Sequence, residues 1–241
     1  ASCYGGRRRC HRSIFSTTLY RKPSTMKRLF ILCLIALLFF SGCALFRSKE
    51  EKPAPELASD GIDQFKSGNY RDSIESFETL KNWYPFSQYA ILAELKIGDA
   101  HYKLKEYEEA IFAYEEFENL HPRNEAVPYV IHQIGLCHFE QIGTWDRDQA
   151  PARKALDTFN RLVKQFPTNP YAKKSARLIK KSLKSIAEHE IYVGLFYFKG
   201  KHYKAALKRF KKLISNYPDV GTHQKALAHI ARCDALLKKR E

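Results

Sequence analysis

Six cysteines, nine histidines and a few adjacent carboxylates are the side chains of this 241-residue sequence that could do chemistry, and their spacing decides which of them do. A thiol can act as nucleophile or ligand, an imidazole as base or ligand, and two acids can share a proton transfer. The pairs His132/His138 and His223/His229 are six residues apart, about 120° round a helix, so neither pair grips one ion from a common face. There is no HExxH stretch and no Cys/His cluster of zinc spacing, and histidines at the surface or at helix ends are expected. Glu108/Glu109 and Glu115/Glu116 are adjacent, but on positions that face water, where acids solvate a helix. With no glycine-rich phosphate loop and no GxSxG, the sequence offers no catalytic constellation, metal site or cofactor site. One thiol stands apart: Cys43 follows the twelve-residue apolar run Leu29–Phe40 and the small pair Ser41-Gly42.

Lys27-Arg28 and the single methionine, Met26, precede that run. It is shorter than the ~20 residues needed to span a bilayer and has the form of a secretory apolar core. The Ser41-Gly42-Cys43 junction resembles the lipobox of bacterial lipoproteins, with Phe40 where Leu is more usual. That likeness implies a diacylglycerol thioether on the Cys43 sulfur, cleavage before it, and acylation of the new N-terminus, since several chains hold where one binds marginally. An ordinary cleaved signal with an incidental cysteine is the alternative. Ala44 after the cysteine, in place of Asp, implies the outer membrane by the same likeness. Residues 1–25 are basic without apolar periodicity, and read either as sequence translated from upstream of the start or as a basic extension. Residues 26–42 are then the signal, and residues 43–57, with two prolines, the lipidated tether.

Counted from Cys43 the net charge is +7 rather than +15, and it is polarised: residues 43–170 carry −6 and residues 171–241 carry +13. A basic third suggests nucleic acid, but export and the lack of any nucleic-acid module exclude that partner. An acidic protein or anionic lipid headgroups fit better. Cys137 and Cys233, each on an apolar helical face and far apart along the chain, are expected as small buried hydrophobes rather than a bridge.

The elements that position these residues are helical. Gly98 and Tyr102 lie on one helix, Lys105-Glu106 makes the turn, Ala110, Tyr114 and Phe117 lie on the next, and Pro122 closes the unit. This is the grammar of tetratricopeptide (TPR) repeats. It recurs as Gly61/Phe65 with Ser73/Phe77/Leu80 and Pro85. It recurs again as Gly135/Phe139 with Ala155/Phe159/Leu162 and Pro167, after an insertion of about eight residues in 142–151, and as Gly194/Tyr197/Phe198 with Ala206/Phe210/Leu213 and Pro218. Asn169-Pro170 opens a helix at Tyr171, and Thr222 is expected to cap the last one. The expected fold is all-α, a TPR-type solenoid of about ten helices in five hairpins, with the helices near Tyr171 and His189 either separate or continuous. Residues 58–122 form the N-terminal pair and 123–241 the C-terminal repeats. Such arrays recognise other proteins. Trp83, Tyr84, Phe86 and Tyr89, with Tyr102 nearby, are either core filling at the first junction or rigid contacts for a peptide.

The signal, the short tether and five hairpins together resemble the BamD-type outer-membrane protein assembly lipoproteins. So do the stretches Trp83-Tyr-Pro-Phe-Ser-Gln-Tyr-Ala90, Asp146-Arg-Asp-Gln-Ala-Pro151 and Glu188-His-Glu-Ile-Tyr-Val-Gly194-Leu-Phe-Tyr197. The resemblance implies a non-enzymatic role in the β-barrel assembly machinery on the periplasmic face of the outer membrane. N-terminal repeats would receive the C-terminal targeting strand of unfolded outer-membrane proteins. C-terminal repeats would dock on a POTRA domain of the barrel insertase, beside other assembly lipoproteins. Tyr84 and Phe86 match the substrate side, with Tyr89 and Tyr102 as neighbouring candidates. Arg209 matches an arginine of the docking helix, with Lys208, Lys212 and Tyr192 as further candidates. Phe40 and the lysine-rich 173–212 segment depart from the common pattern. A general periplasmic adaptor for cell-wall or other envelope complexes is the alternative.

Overall fold

The structure, a computed structural model, describes residues 51–239. Among these residues there are nine helices and no strand: α1 (Ala54–Lys66), α2 (Tyr70–Trp83), α3 (Gln88–Lys103), α4 (Tyr107–Leu120), α5 (Val127–Glu140), α6 (Ala150–Gln165), α7 (Pro170–Lys199), α8 (Tyr203–Asn216) and α9 (His223–Lys238). Each helix packs chiefly on its neighbours in the chain, as a solenoid requires.

Every hairpin is closed by the same device. Helix A carries a glycine and helix B an aromatic whose ring lies against it. A Cβ at Gly61, Gly98, Gly135 or Gly194 would sit only 2.7, 2.7, 2.4 or 2.5 Å from a ring carbon of Phe77, Tyr114, Phe159 or Phe210. Those four rings are fully buried and have nowhere to move. The glycine and its aromatic are sixteen residues apart in three hairpins and twenty-four in the third, where the 142–149 loop is longer. A small residue, Ser73, Ala110, Ala155 or Ala206, comes four positions before the aromatic and is also buried. Burying each ring contributes roughly 1.5–3 kcal/mol.

Each hairpin ends alike too. The amides of Tyr84, His121, Phe166 and Tyr217 donate to carbonyls four residues back, and a proline follows. That proline disfavours helical backbone at the preceding residue. The αL position of the tight turn is held by Gly68 in the first hairpin, but by Lys105 and Lys201, each at φ 62°, in the second and the last.

Three expectations are adjusted. The helices near Tyr171 and His189 are one 30-residue helix, α7, because no proline or glycine interrupts 171–193 and the buried face continues through Ala172, Ser175, Ser182, Ile186, Glu190 and Ile191. Ten helices therefore become nine among the described residues. The expected tether overlaps α1, which starts at Ala54 and buries Leu57 and Ala58 in the first core, with Pro55 pre-set for the first turn. Thr222 stands at the start of α9 without capping it. Asp219 does so instead, its Oδ1 accepting from the amides of Gly221 (2.8 Å), Thr222 (3.2 Å) and His223 (3.3 Å). Those amides hold the Asp219 carboxyl below its ordinary range. By contrast Asn169 caps α7 as expected, accepting from Tyr171 N at 2.9 Å.

Candidate functional site

The repeat frame separates ordinary aromatics from unusual ones at the α2–α3 corner. Tyr84 occupies the closing position shared with His121, Phe166 and Tyr217. It is half-buried, packs on the first core, and donates its hydroxyl to Lys52 O at 3.0 Å. Phe86 comes just after the proline, where the other hairpins place Arg123, Thr168 and Asp219. It is fully exposed, at 101%. Trp83 and Ile91 are exposed beside it in the chain, and Ser87 caps α3 by accepting from Tyr89 N.

Tyr89 packs on the same first core as Tyr84, but Tyr102 belongs elsewhere. It lies about 20 Å further along α3, in the second core, edge-on to Tyr107 at 5.9 Å. Burial, and to a lesser degree the Glu140 carboxylate, pushes its phenol up to about 12. The four predicted aromatics therefore do not form one cluster. Phe86 is the one whose ring is wholly free of the fold. A separate cleft of about 390 Å³ has Ile97, Phe112 and Ala113 on its walls and Glu78, Glu108, Glu109 and Glu116 around it.

The C-terminal candidates also divide. Glu190 of α7 is 1% exposed and accepts from Arg209 Nη1 at 3.2 Å and from Lys212 Nζ at 3.0 Å, both on α8. Tyr192, two residues on, lies about 160° round α7 from Glu190, on the opposite side. There it meets Trp145 of the 142–149 loop, ring centroids 4.8 Å apart. His189 fastens that loop through Trp145 O at 2.7 Å. Trp145, Tyr192, Leu195 and Phe196, together with Gly221 and Lys225, line a groove of about 690 Å³. Trp145, Tyr192 and Phe196 are exposed large apolar residues. Lys208 is exposed on α8. Sequence reasoning missed Trp145 and Phe196, although the Gly143–Pro151 stretch already stood out as an insertion in the repeat.

A family model for the YfiO outer membrane lipoproteins matches residues 50–240. The chain belongs to this family. Among its relatives, an outer membrane protein assembly factor BamD of Caulobacter vibrioides is 31% identical over 192 residues, 78% of this chain and 63% of the relative. The chain thus spans a little under two thirds of that relative's length. The BamD of Vibrio cholerae is 28% identical over 205 residues, covering 80% of this chain and 85% of its own. A thermophilic TPR protein of Thermus thermophilus is a solved structure of similar helical make-up, 15% identical, TM-score 0.42, covering 74% of this chain and 100% of its own.

The BamD relatives are named assembly factors, and in the present chain, a member of the outer membrane lipoprotein family, the buried polar groups serve the fold. Asp99 on α3 accepts from Tyr114 (2.8 Å) and Tyr129 (2.6 Å) at Oδ1 and from Lys96 (2.7 Å) at Oδ2, tying α3, α4 and α5 together. Burial and the adjacent Asp99 charge raise both phenols well above their ordinary value. The expectation of histidines at the surface or at helix ends fails at His132, which is buried in the middle of α5, while His138, also buried, lies in the last turn of that helix. His132 lies by Phe159 and Tyr171 and pairs with Ser175 Oγ at 2.9 Å, joining α5 to α7. Burial, then Lys174, lowers it to about 4. Among the described residues no group of three or more His, Cys, Asp or Glu could hold a metal ion. Cys137 and Cys233 are free and buried in different cores, and burial pushes Cys137 up to about 12. Cys43, the signal 26–42 and residues 1–25 lie outside the described residues.

Proposed function

We propose that this lipoprotein is a scaffold of outer-membrane protein assembly that holds unfolded barrel segments at the α2–α3 corner and docks on the barrel insertase through its C-terminal hairpins. The observation that carries this reading is Phe86, a fully exposed aromatic where the other three hairpins have a polar residue, on a chain whose relatives are named assembly factors. A rigid ring held beside a proline loses little freedom on binding, which makes it an efficient anchor for an extended segment. Lipid attachment at Cys43 would confine the scaffold to the membrane plane and raise the effective concentration of its partners.

At the other end, Trp145, Tyr192 and Phe196 offer exposed rings that a partner would bury as the aromatic anchors of a stable interface. Exposed Lys204, Lys208 and Lys211 on α8 supply charge that steers an acidic partner. Arg209 and Lys212 are held by Glu190, so their part is to shape that face with one net positive charge over a buried carboxylate. The test is a pull-down from detergent-solubilised membranes with a C-terminal tag, comparing the native protein with Trp145→Ala/Phe196→Ala. Recovery of the barrel insertase by the first and its loss from the second is expected. Recovery of cell-wall enzymes with no insertase would overturn the reading in favour of a general envelope adaptor.

A further inference from the structure

The first half of α7 carries a charge pattern that the rules of helix stability oppose. Between Pro170 and Ala187 it bears Lys173, Lys174, Arg177, Lys180, Lys181 and Lys184, all exposed, and no acid. Cations in the first turn face the positive end of the helix dipole. Like charges three or four apart repel, and six such pairs occur here: 173/177, 174/177, 177/180, 177/181, 180/184 and 181/184. The fold gains little in return. Lys184 approaches Glu188 at 3.7 Å, while the other five make no ion pair with a described residue. Lys174 and Lys181 lie over the rings of Tyr171 and Phe139 at 5.2 and 6.0 Å. A local rule broken with so little internal compensation marks a surface shaped by something outside the molecule.

We propose that this stripe, about 17 Å long, is a contact surface for anionic phospholipid headgroups that lays α7 against the membrane. Two features favour a lipid surface over an acidic protein. No large apolar residue of 170–187 is exposed, so the stripe lacks the apolar anchors around which protein interfaces form. Five of the six cations are lysines, mobile point charges that suit a diffuse headgroup layer, to which each adds attraction independently. Membership of an outer membrane lipoprotein family brings such a layer within reach. The inference rests on that membership and not on the peptide or insertase reading.

Ala176 is exposed on this half of α7 while Cys137 and Cys233 are buried, so a fluorophore on Ala176→Cys reports on the stripe. The full lipid-anchored protein is reconstituted into phosphatidylcholine vesicles, with or without about one third phosphatidylglycerol, each containing a headgroup-quencher lipid. Quenching is expected in the anionic vesicles, weak in the neutral ones, and lost at high salt. K180Q/K181Q should lower the quenched-to-free ratio on the order of tenfold, with the melting temperature kept or raised. Equal quenching in both vesicles, or none in either, overturns the proposal. So does a six-site glutamine variant that keeps its quenching but loses capture of an added acidic protein.

Discussion

Truncating Phe86 to alanine should separate binding from folding in a single variant. The ring is fully exposed, so its loss deletes no internal packing and should change stability by less than ~0.5 kcal/mol. A ring that becomes buried under a bound segment is worth roughly 1.5–3 kcal/mol, which raises Kd by about 10- to 150-fold. Tyr84→Ala must behave differently. That ring rests on the first core and its hydroxyl bonds Lys52 O, so about 1–3 kcal/mol of stability goes with it, and any loss of binding is mixed with loss of fold. The assay is anisotropy of a labelled barrel-protein C-terminal peptide, run beside a thermal melt followed by circular dichroism. Phe86→Ala binding within about twofold of the native protein would remove the corner as the site. A melt lowered as far as that of Tyr84→Ala would show that the ring is packed and that the premise of the calculation is wrong.

Three further outcomes follow from the described contacts. Tyr114→Phe removes one of three donors to buried Asp99 and should cost about 1.5–3 kcal/mol, read in a denaturant titration, with part of it absent when Tyr129→Phe is already in place. His132 stays neutral in the fold down to about pH 4 but takes a proton near 6.5 when unfolded. The unfolded state therefore binds more protons between these values, and stability, complete above pH 6.5, falls by up to about 3 kcal/mol as pH drops towards 4. His132→Gln should flatten that part of the melting-temperature profile. Lys201→Gly relieves a left-handed backbone at φ 62° and should add up to about 1 kcal/mol, measured as a rise in denaturation midpoint; a loss of stability would mean that the lysine side chain holds the turn.

Much of this molecule is determined by the chain alone, because a tetratricopeptide hairpin is a local object. The glycine, the small residue and the aromatic that close it lie within some twenty residues, so Gly98, Ala110 and Tyr114 could be paired from spacing, and the odd spacing of Gly135 and Phe159 marked the insertion. The stretches that mark the family are likewise contiguous. Contacts between hairpins are not written at any fixed spacing, and there tertiary structure decided. It placed Asp99 under two tyrosines from the following helices, sank His132 between Phe159 and Tyr171, and put Tyr102 in the second core, away from Phe86. It also set Glu190 beneath Arg209 and Lys212 while turning Tyr192 to the far side of the same helix against Trp145. The physical reason is common to all of these. Helical periodicity says which face of a helix is apolar, but only the stacking of the next hairpin settles whether a polar group on that face finds a partner or meets water.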